Sequence, residues 1–233
     1  MLTDFLNGRN NPNTLFCFSP AVMLATFIIE FSLALYTFIR FRMTRFGQLA
    51  TATLIFLGVF QVAEYQICGG NDGIFWARIG YVAITMLPPL GLHMIYLITG
   101  NSKYVKFSYA LAAIYITAFM FAEKSIVGAT CTGNYVIFQT IQELYWTYGI
   151  YYTGLLMLGV WELVEKIREC SAEDFSLRAW MALGYFSFMV PMAVVYLVLP
   201  ETRNAVPSVM CGFAVILAIL LAFKILPKYH SKK

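Results

Sequence analysis

Charge is scarce in this 233-residue sequence: Asp, Glu, Lys and Arg make up 12% of it, against about 25% in soluble domains. Hydrophobic residues account for 60% and the mean hydropathy is +0.71. So little charge cannot wet the surface of a soluble globule, which excludes a soluble enzyme and a disordered tail. Histidine is nearly absent, with only His93 and His230, and the five cysteines form no CxxC pair and no disulfide framework. Asp4, Asp72 and Asp174 all fall outside the apolar stretches, so no Ser/His/Asp set can assemble within them. The first fifteen residues, with Asp4, Asn7, Arg9 and Asn10, lack the basic and apolar regions of a cleavable signal peptide.

What the sequence does hold is a series of seven apolar stretches, each long enough to cross a bilayer. They run over about 20–41, 47–68, 74–99, 105–122, 138–163, 177–199 and 205–226. Gly69-Gly70-Asn71-Asp72-Gly73 and Gly100-Asn101-Ser102-Lys103 punctuate them, and residues 128–134 form a polar loop. The expected fold class is therefore an all-α membrane protein, a single seven-transmembrane helix bundle over residues 1–233. There is no internal repeat of the kind many transporters carry.

Basic residues give this bundle a direction. Twelve of the sixteen fall after spans one, three, five and seven: Arg40, Arg42, Arg45, Lys103, Lys106, Lys166, Arg168, Arg178, Lys224, Lys228, Lys232 and Lys233. Arg9, Arg78, Lys124 and Arg203 fall on the other side. This bias puts the N-terminus outside and the C-terminus in the cytoplasm, as in a multi-pass protein of a cell's inner membrane. The same scatter accounts for the net charge of +4 without a nucleic-acid partner; the bilayer itself is the first partner.

Ionisable residues inside a span are costly and mark functional candidates. Glu64, beside Gln61, lies one turn below the outer end of span two, and Arg78 lies at similar depth in span three. Glu143 sits near the outer end of span five, level with Trp76, Tyr145, Trp146 and Tyr148. One arginine cannot neutralise two carboxylates. These residues therefore suggest a Glu64–Arg78 ion pair tying helices together and, compatible with it, an outward-facing polar-aromatic pocket. In the pocket reading Glu64, Arg78, Glu143, Trp76, Tyr145 and Gln61 bind a small molecule or lipid. Glu30 is mid-span, where it is either protonated or hydrogen-bonded to a neighbouring Tyr or Ser. His93 follows Pro88-Pro89 and is placed to satisfy the carbonyls those prolines free.

No cofactor is expected. Lys224 lies at the cytoplasmic end of the last span, which excludes a retinal Schiff base at mid-membrane. Zinc chemistry needs about three protein ligands, so a membrane-embedded metal-dependent hydrolase would require an unusual set drawn from Cys17, Glu64, Glu143 and His93. Enzymatic activity is not expected. Cys68 and Cys131 both fall on the outer side, either as free thiols or as a disulfide; Cys17 and Cys211 also lie toward that side and Cys170 toward the cytoplasm.

Leu57-Gly58, Glu64, Phe75-Trp76-Ala77-Arg78-Ile79-Gly80-Tyr81 and Leu87-Pro88-Pro89-Leu90 resemble a known signature. The stretch is similar to the seven-transmembrane sensor region at the N-terminus of many bacterial histidine kinases and diguanylate cyclases. The resemblance covers residues 47–99 well and the remainder by helix count and orientation. It implies that Trp76, Arg78, Tyr81, Pro88 and Pro89 shape an outer sensory bundle, with the Pro88-Pro89 break as a switch element. Cys17-Phe18-Ser19 with Gln61-x-x-Glu64 also resembles a family of small standalone membrane proteins, which implies no activity. Sensor-region proteins continue into a kinase or cyclase, whereas this sequence holds no such module after Leu226, so its signal would pass through a protein partner. Two further readings stand beside the sensor: an accessory subunit of a larger membrane complex, and a small proton- or ion-linked carrier using the buried glutamates.

Overall fold

The structure is a computed structural model that describes residues 19–132, 135–165, 170–198 and 205–232. Among these residues there are seven helices of more than fifteen residues. They are α1 (Pro20–Phe41), α2 (Arg45–Cys68), α3 (Gly73–Thr99), α4 (Val105–Phe121), α5 (Gln142–Glu165), α6 (Ala172–Val198) and α7 (Val206–Ser231). Five of them, α1, α2, α3, α6 and α7, are long and apolar enough to cross a membrane, which suits a multi-pass membrane protein. At 17 residues α4 is a shorter apolar helix, and α5 carries six aromatic residues and three glutamates in its 24 residues. Cys17 and the charged residues Asp4, Arg9, Lys166, Arg168, Arg203 and Lys233 lie outside the described residues.

Local chemistry explains where the helices begin and end. The Thr44 side chain accepts from Gly47 N at 3.0 Å to cap α2. Asp72 Oδ1 accepts from Ile74 N and Phe75 N, both at 3.1 Å, to cap α3. Gly100 ends α3 in the left-handed region at φ 81°, a conformation open to glycine without a Cβ clash. Ser171 Oγ takes the Asp174 N–H at 3.2 Å and starts α6. Near the far end of α7, one π-helical turn over Leu221–Ile225 widens the helix before it closes again.

Several boundaries differ from the sequence expectation, and α7 runs on to Ser231 rather than ending near 226. The loop after α4 is a β-hairpin, with β1 (Ile126–Cys131) paired antiparallel to β2 (Val136–Thr140). Residues 138–140 therefore belong to a strand rather than to span five, and α5 begins at Gln142. Val136, Ile137 and Phe138 are β-branched or aromatic and suit a strand, and Val136 and Phe138 bury themselves against the bundle end. Span six begins earlier than expected, at Ala172, because the Ser171 cap starts the helix ahead of its apolar run.

A further difference concerns Pro88-Pro89. Rather than breaking there, α3 runs unbroken from Gly73 to Thr99. Proline 89 cannot donate to the carbonyl four residues back, and that carbonyl, Thr85 O, instead accepts from Tyr151 Oη of α5 at 2.7 Å. The role expected of His93 is thus filled by Tyr151, and His93 Nδ1 faces the Tyr109 hydroxyl of α4 at 3.2 Å.

The core has two main parts. At the hairpin end Tyr81, Phe119, Phe138 and Tyr148 pack as an aromatic cluster, with Tyr81 and Phe119 stacked at 4.2 Å between centroids. At the opposite end Phe46, Leu177, Met181, Leu221, Ile225 and Tyr229 close the bundle. Small residues let helices approach between these clusters: Gly91 of α3, Gly159 of α5 and Gly184 of α6 each face a close side chain from a neighbouring helix.

Candidate functional site

A cavity of about 650 Å³ opens among α5, α6 and α7 in the half of the bundle nearest the hairpin. That volume lies within the range of small-molecule pockets, roughly 300–1,000 Å³. Tyr81, Ile84, Phe119 and Tyr148 form its inner wall, Met210 and Cys211 of α7 its floor, and Met189, Met192 and Tyr196 of α6 the side facing α5. Along α5 the lining runs from Leu144 to Met157 and includes Gly149, Thr153 and Gly154. A Cβ added at Gly149 or Gly154 would meet no atom within 4 Å, so α5 is smooth there. A small cavity of about 30 Å³ adjoins it and shares Tyr152, Leu156, Met210 and Cys211.

Behind the floor lies a buried polar column contributed by α1, α2 and α7. Val136 N of β2 donates to Ser208 Oγ at 3.3 Å, and the Ser208 hydroxyl in turn bonds the Glu64 carboxylate. Glu30 is wholly buried, and neither of its carboxylate oxygens has a hydrogen-bond partner among the described residues. Gln61 is also buried, with its amide nitrogen unpartnered. Cys211 lies within electrostatic reach of both glutamates, so it is the residue shared by the cavity and the carboxylates. Farther along α1 and α2 the polar column continues as Thr37 Oγ1 and Thr51 Oγ1, 3.0 Å apart.

The structure separates residues that the sequence grouped by depth. Glu64 and Arg78 are level but face different neighbours. Glu64 turns toward α7 and Ser208, whereas Arg78 Nη1 donates to Met120 O at 3.0 Å, beside the end of α4. That carbonyl is one of the last of its helix, where a cation is favourably placed. Glu143 is exposed in the first turn of α5 and does not line the cavity. Trp76 packs, half-buried, against the hairpin-end core. Of the six residues grouped as ligand-binding, Tyr145 lines the cavity, while Glu64 and Gln61 stand behind it. The structure bonds Cys68, at the end of α2, to Cys131, at the end of β1, with 5.0 Å between their Cα atoms. Among the described residues no three His, Cys, Asp or Glu side chains gather as around a metal ion.

Sequence reasoning passed over Gly149, Tyr152, Gly154, Met189, Met192 and Cys211. A signal was present in α5: Tyr145, Tyr148, Tyr151 and Tyr152 alternate with Gly149 and Gly154, an aromatic-and-glycine face rather than an aliphatic one. Its interpretation needs the neighbouring helices, because an aromatic stripe more often fills a core than borders a cavity.

No protein-family model matches the chain, and no curated protein matches it. The likeness to the sensor region therefore stands on the residues of 47–99 alone.

Proposed function

We propose that this protein is a seven-span, receptor-like membrane sensor whose ligand occupies the cavity among α5, α6 and α7. The observation that carries this reading is the cavity itself, a space of small-molecule size walled by aromatic and methionine side chains. The twelve-to-four distribution of basic residues supports an orientation with the N-terminus and hairpin outside and the C-terminus in the cytoplasm. In a bacterial cell this corresponds to the inner membrane. The hairpin is linked both ways, to α2 through Cys68–Cys131 and to α7 through Val136 N and Ser208. A ligand that moves α7 therefore acts on the hairpin and on the far end of the same helix. Output passes to a membrane or cytoplasmic protein partner by a shift of helices.

Native purification in mild detergent, with identification of bound small molecules and proteins, tests this function. A stoichiometric small molecule should leave with the protein, and its removal should change the amount of retained partner. Gly154→Trp, which fills the cavity, should lose the molecule. A cavity that yields only bulk phospholipid, identically in both proteins, refutes the reading.

One observation favours a second reading, a proton-linked carrier: the two unpartnered oxygens of Glu30 lie close to Glu64 in the bundle interior. Such a carrier would show flux in liposomes that Glu30→Gln abolishes.

A further inference from the structure

We infer that the cavity takes an elongated, uncharged lipophile bearing a single hydroxyl or carbonyl, which enters sideways from the bilayer between α5 and α6. The inference rests on the proposed use of this cavity as a ligand site and adds the ligand's chemistry and route.

Charge complementarity sets the chemical class. None of the described residues lining the cavity is charged: Glu143 and Arg78 do not border it, and neither does Glu64. An ionised head group would find no counter-charge among the described lining residues, which is strongly unfavourable among apolar walls. The described lining residues that carry a polar group are Thr140, Thr153, Trp146 and five tyrosines, among them Tyr152 beside Cys211. Hydroxyls can both donate and accept, so they match one neutral oxygen function rather than an ion.

Shape sets the length. The lining along α5 runs from Leu144 to Met157, about 20 Å at a rise of roughly 1.5 Å per residue. A volume of about 650 Å³ spread over that length is long and narrow. Met157, Met189, Met192 and Met210 border it, and methionine side chains adapt to an irregular apolar surface.

The route follows from what is missing between α5 and α6. Gly149 and Gly154 leave open space beside α5. Ile150, which follows Gly149 on α5, and Leu197 of α6 are 73% and 74% exposed although both line the cavity. At the same level the hairpin covers the end of the bundle with the buried Val136 and Phe138. The apolar side opening is thus the one that meets lipid.

Photolabelling in lipid nanodiscs tests all three features. The probes are diazirine-bearing hexadecanol, the matching hexadecanoic acid and hexadecylamine, and a phosphatidylcholine with the same diazirine chain. Adducts mapped by mass spectrometry should fall on Tyr152, Met157, Met189 and Met192, with the alcohol labelling at least tenfold above both ionised probes. The Gly149→Leu/Gly154→Leu variant should cut that labelling at least fivefold while its melting temperature is retained. Equal labelling by the acid or the amine overturns the uncharged class. Equal labelling by the phospholipid identifies ordinary bilayer lipid and overturns the inference. Unchanged labelling in the double variant, or in Ala193→Leu on the α6 side, overturns the lateral route. Selective alcohol labelling without any change in retained partner supports the inference and refutes the sensor reading, so the two fail separately.

Discussion

Replacing Gly91 with alanine places a methyl group on the hydroxyl oxygen of Tyr185, the side chain that α6 inserts between α3 and α5. Gly91 is buried within α3, and Tyr185 is 3% exposed, so neither can yield toward solvent. The next atom beyond that oxygen is Tyr185 Cζ, at 3.3 Å from the added carbon. Overpacking of this kind costs about 1–3 kcal/mol, partly offset by the roughly 1 kcal/mol that alanine gains over glycine inside a helix. Gly91→Ala should therefore destabilise by about 1 kcal/mol, a fall of roughly 2–4 °C in melting temperature for a chain this long. In a Tyr185→Phe background the clashing oxygen is gone and 3.3 Å is a contact a ring can relieve. There the same Gly91→Ala should be neutral or stabilising by up to about 1 kcal/mol, a coupling of roughly 1–2 kcal/mol. Gly149→Ala, whose added carbon meets nothing within 4 Å, reports the propensity gain alone and should raise stability in both backgrounds. Thermal unfolding of the four proteins in mild detergent measures the cycle. An equal loss from Gly91→Ala with and without the Tyr185 hydroxyl refutes the close approach of α3 and α6 described here.

Three other expectations follow from particular contacts. The Cys68–Cys131 bond closes a separation of 63 residues, so Cys68→Ser/Cys131→Ser should lose about 4 kcal/mol of stability on chain-entropy grounds; identical unfolding midpoints with and without reductant in the wild type would contradict it. Tyr151→Phe leaves Thr85 O without its donor and should cost about 1–3 kcal/mol. Adding Pro89→Ala restores a backbone N–H to that carbonyl and should recover much of the loss, and a Pro89→Ala that worsens the variant would sink the explanation. Glu30→Leu removes two buried oxygens that have no partner among the described residues and should stabilise the fold by roughly 1–3 kcal/mol, read by detergent unfolding; a clear destabilisation would mean that the carboxyl is satisfied in the membrane.

The fold was legible to different degrees along the chain. The spans over 20–41 and 74–99 coincide with α1 and α3 to within a residue at each end, because apolar runs bounded by Ser19, Asp72 and Gly100 leave little freedom of placement. The hairpin was not legible: Ile126–Cys131 and Val136–Thr140 are short, and only their pairing with each other and the burial of Ile126, Val136 and Phe138 against the bundle make them strands. Depth along a helix could be counted from the sequence, which placed Glu64 level with Arg78. Azimuth could not, and Glu64 faces Ser208 while Arg78 faces Met120.

Composition and periodic apolarity alone determined that this chain folds as a set of long helices suited to a bilayer, since 12% charge leaves no other way to cover its surface. They also singled out Glu30 and Glu64 as the costly residues within those helices. Only the tertiary structure decided what surrounds them. Which side chains share a space depends on how seven helices rotate and cross, and spans apolar on every face carry little information about rotation. Packing turned Tyr151 toward the carbonyl left by Pro89, set Cys211 between the glutamates and the cavity, and left Gly149 and Gly154 bare beside α6. The cavity is a property of several helices together, and no one of their sequences contains it.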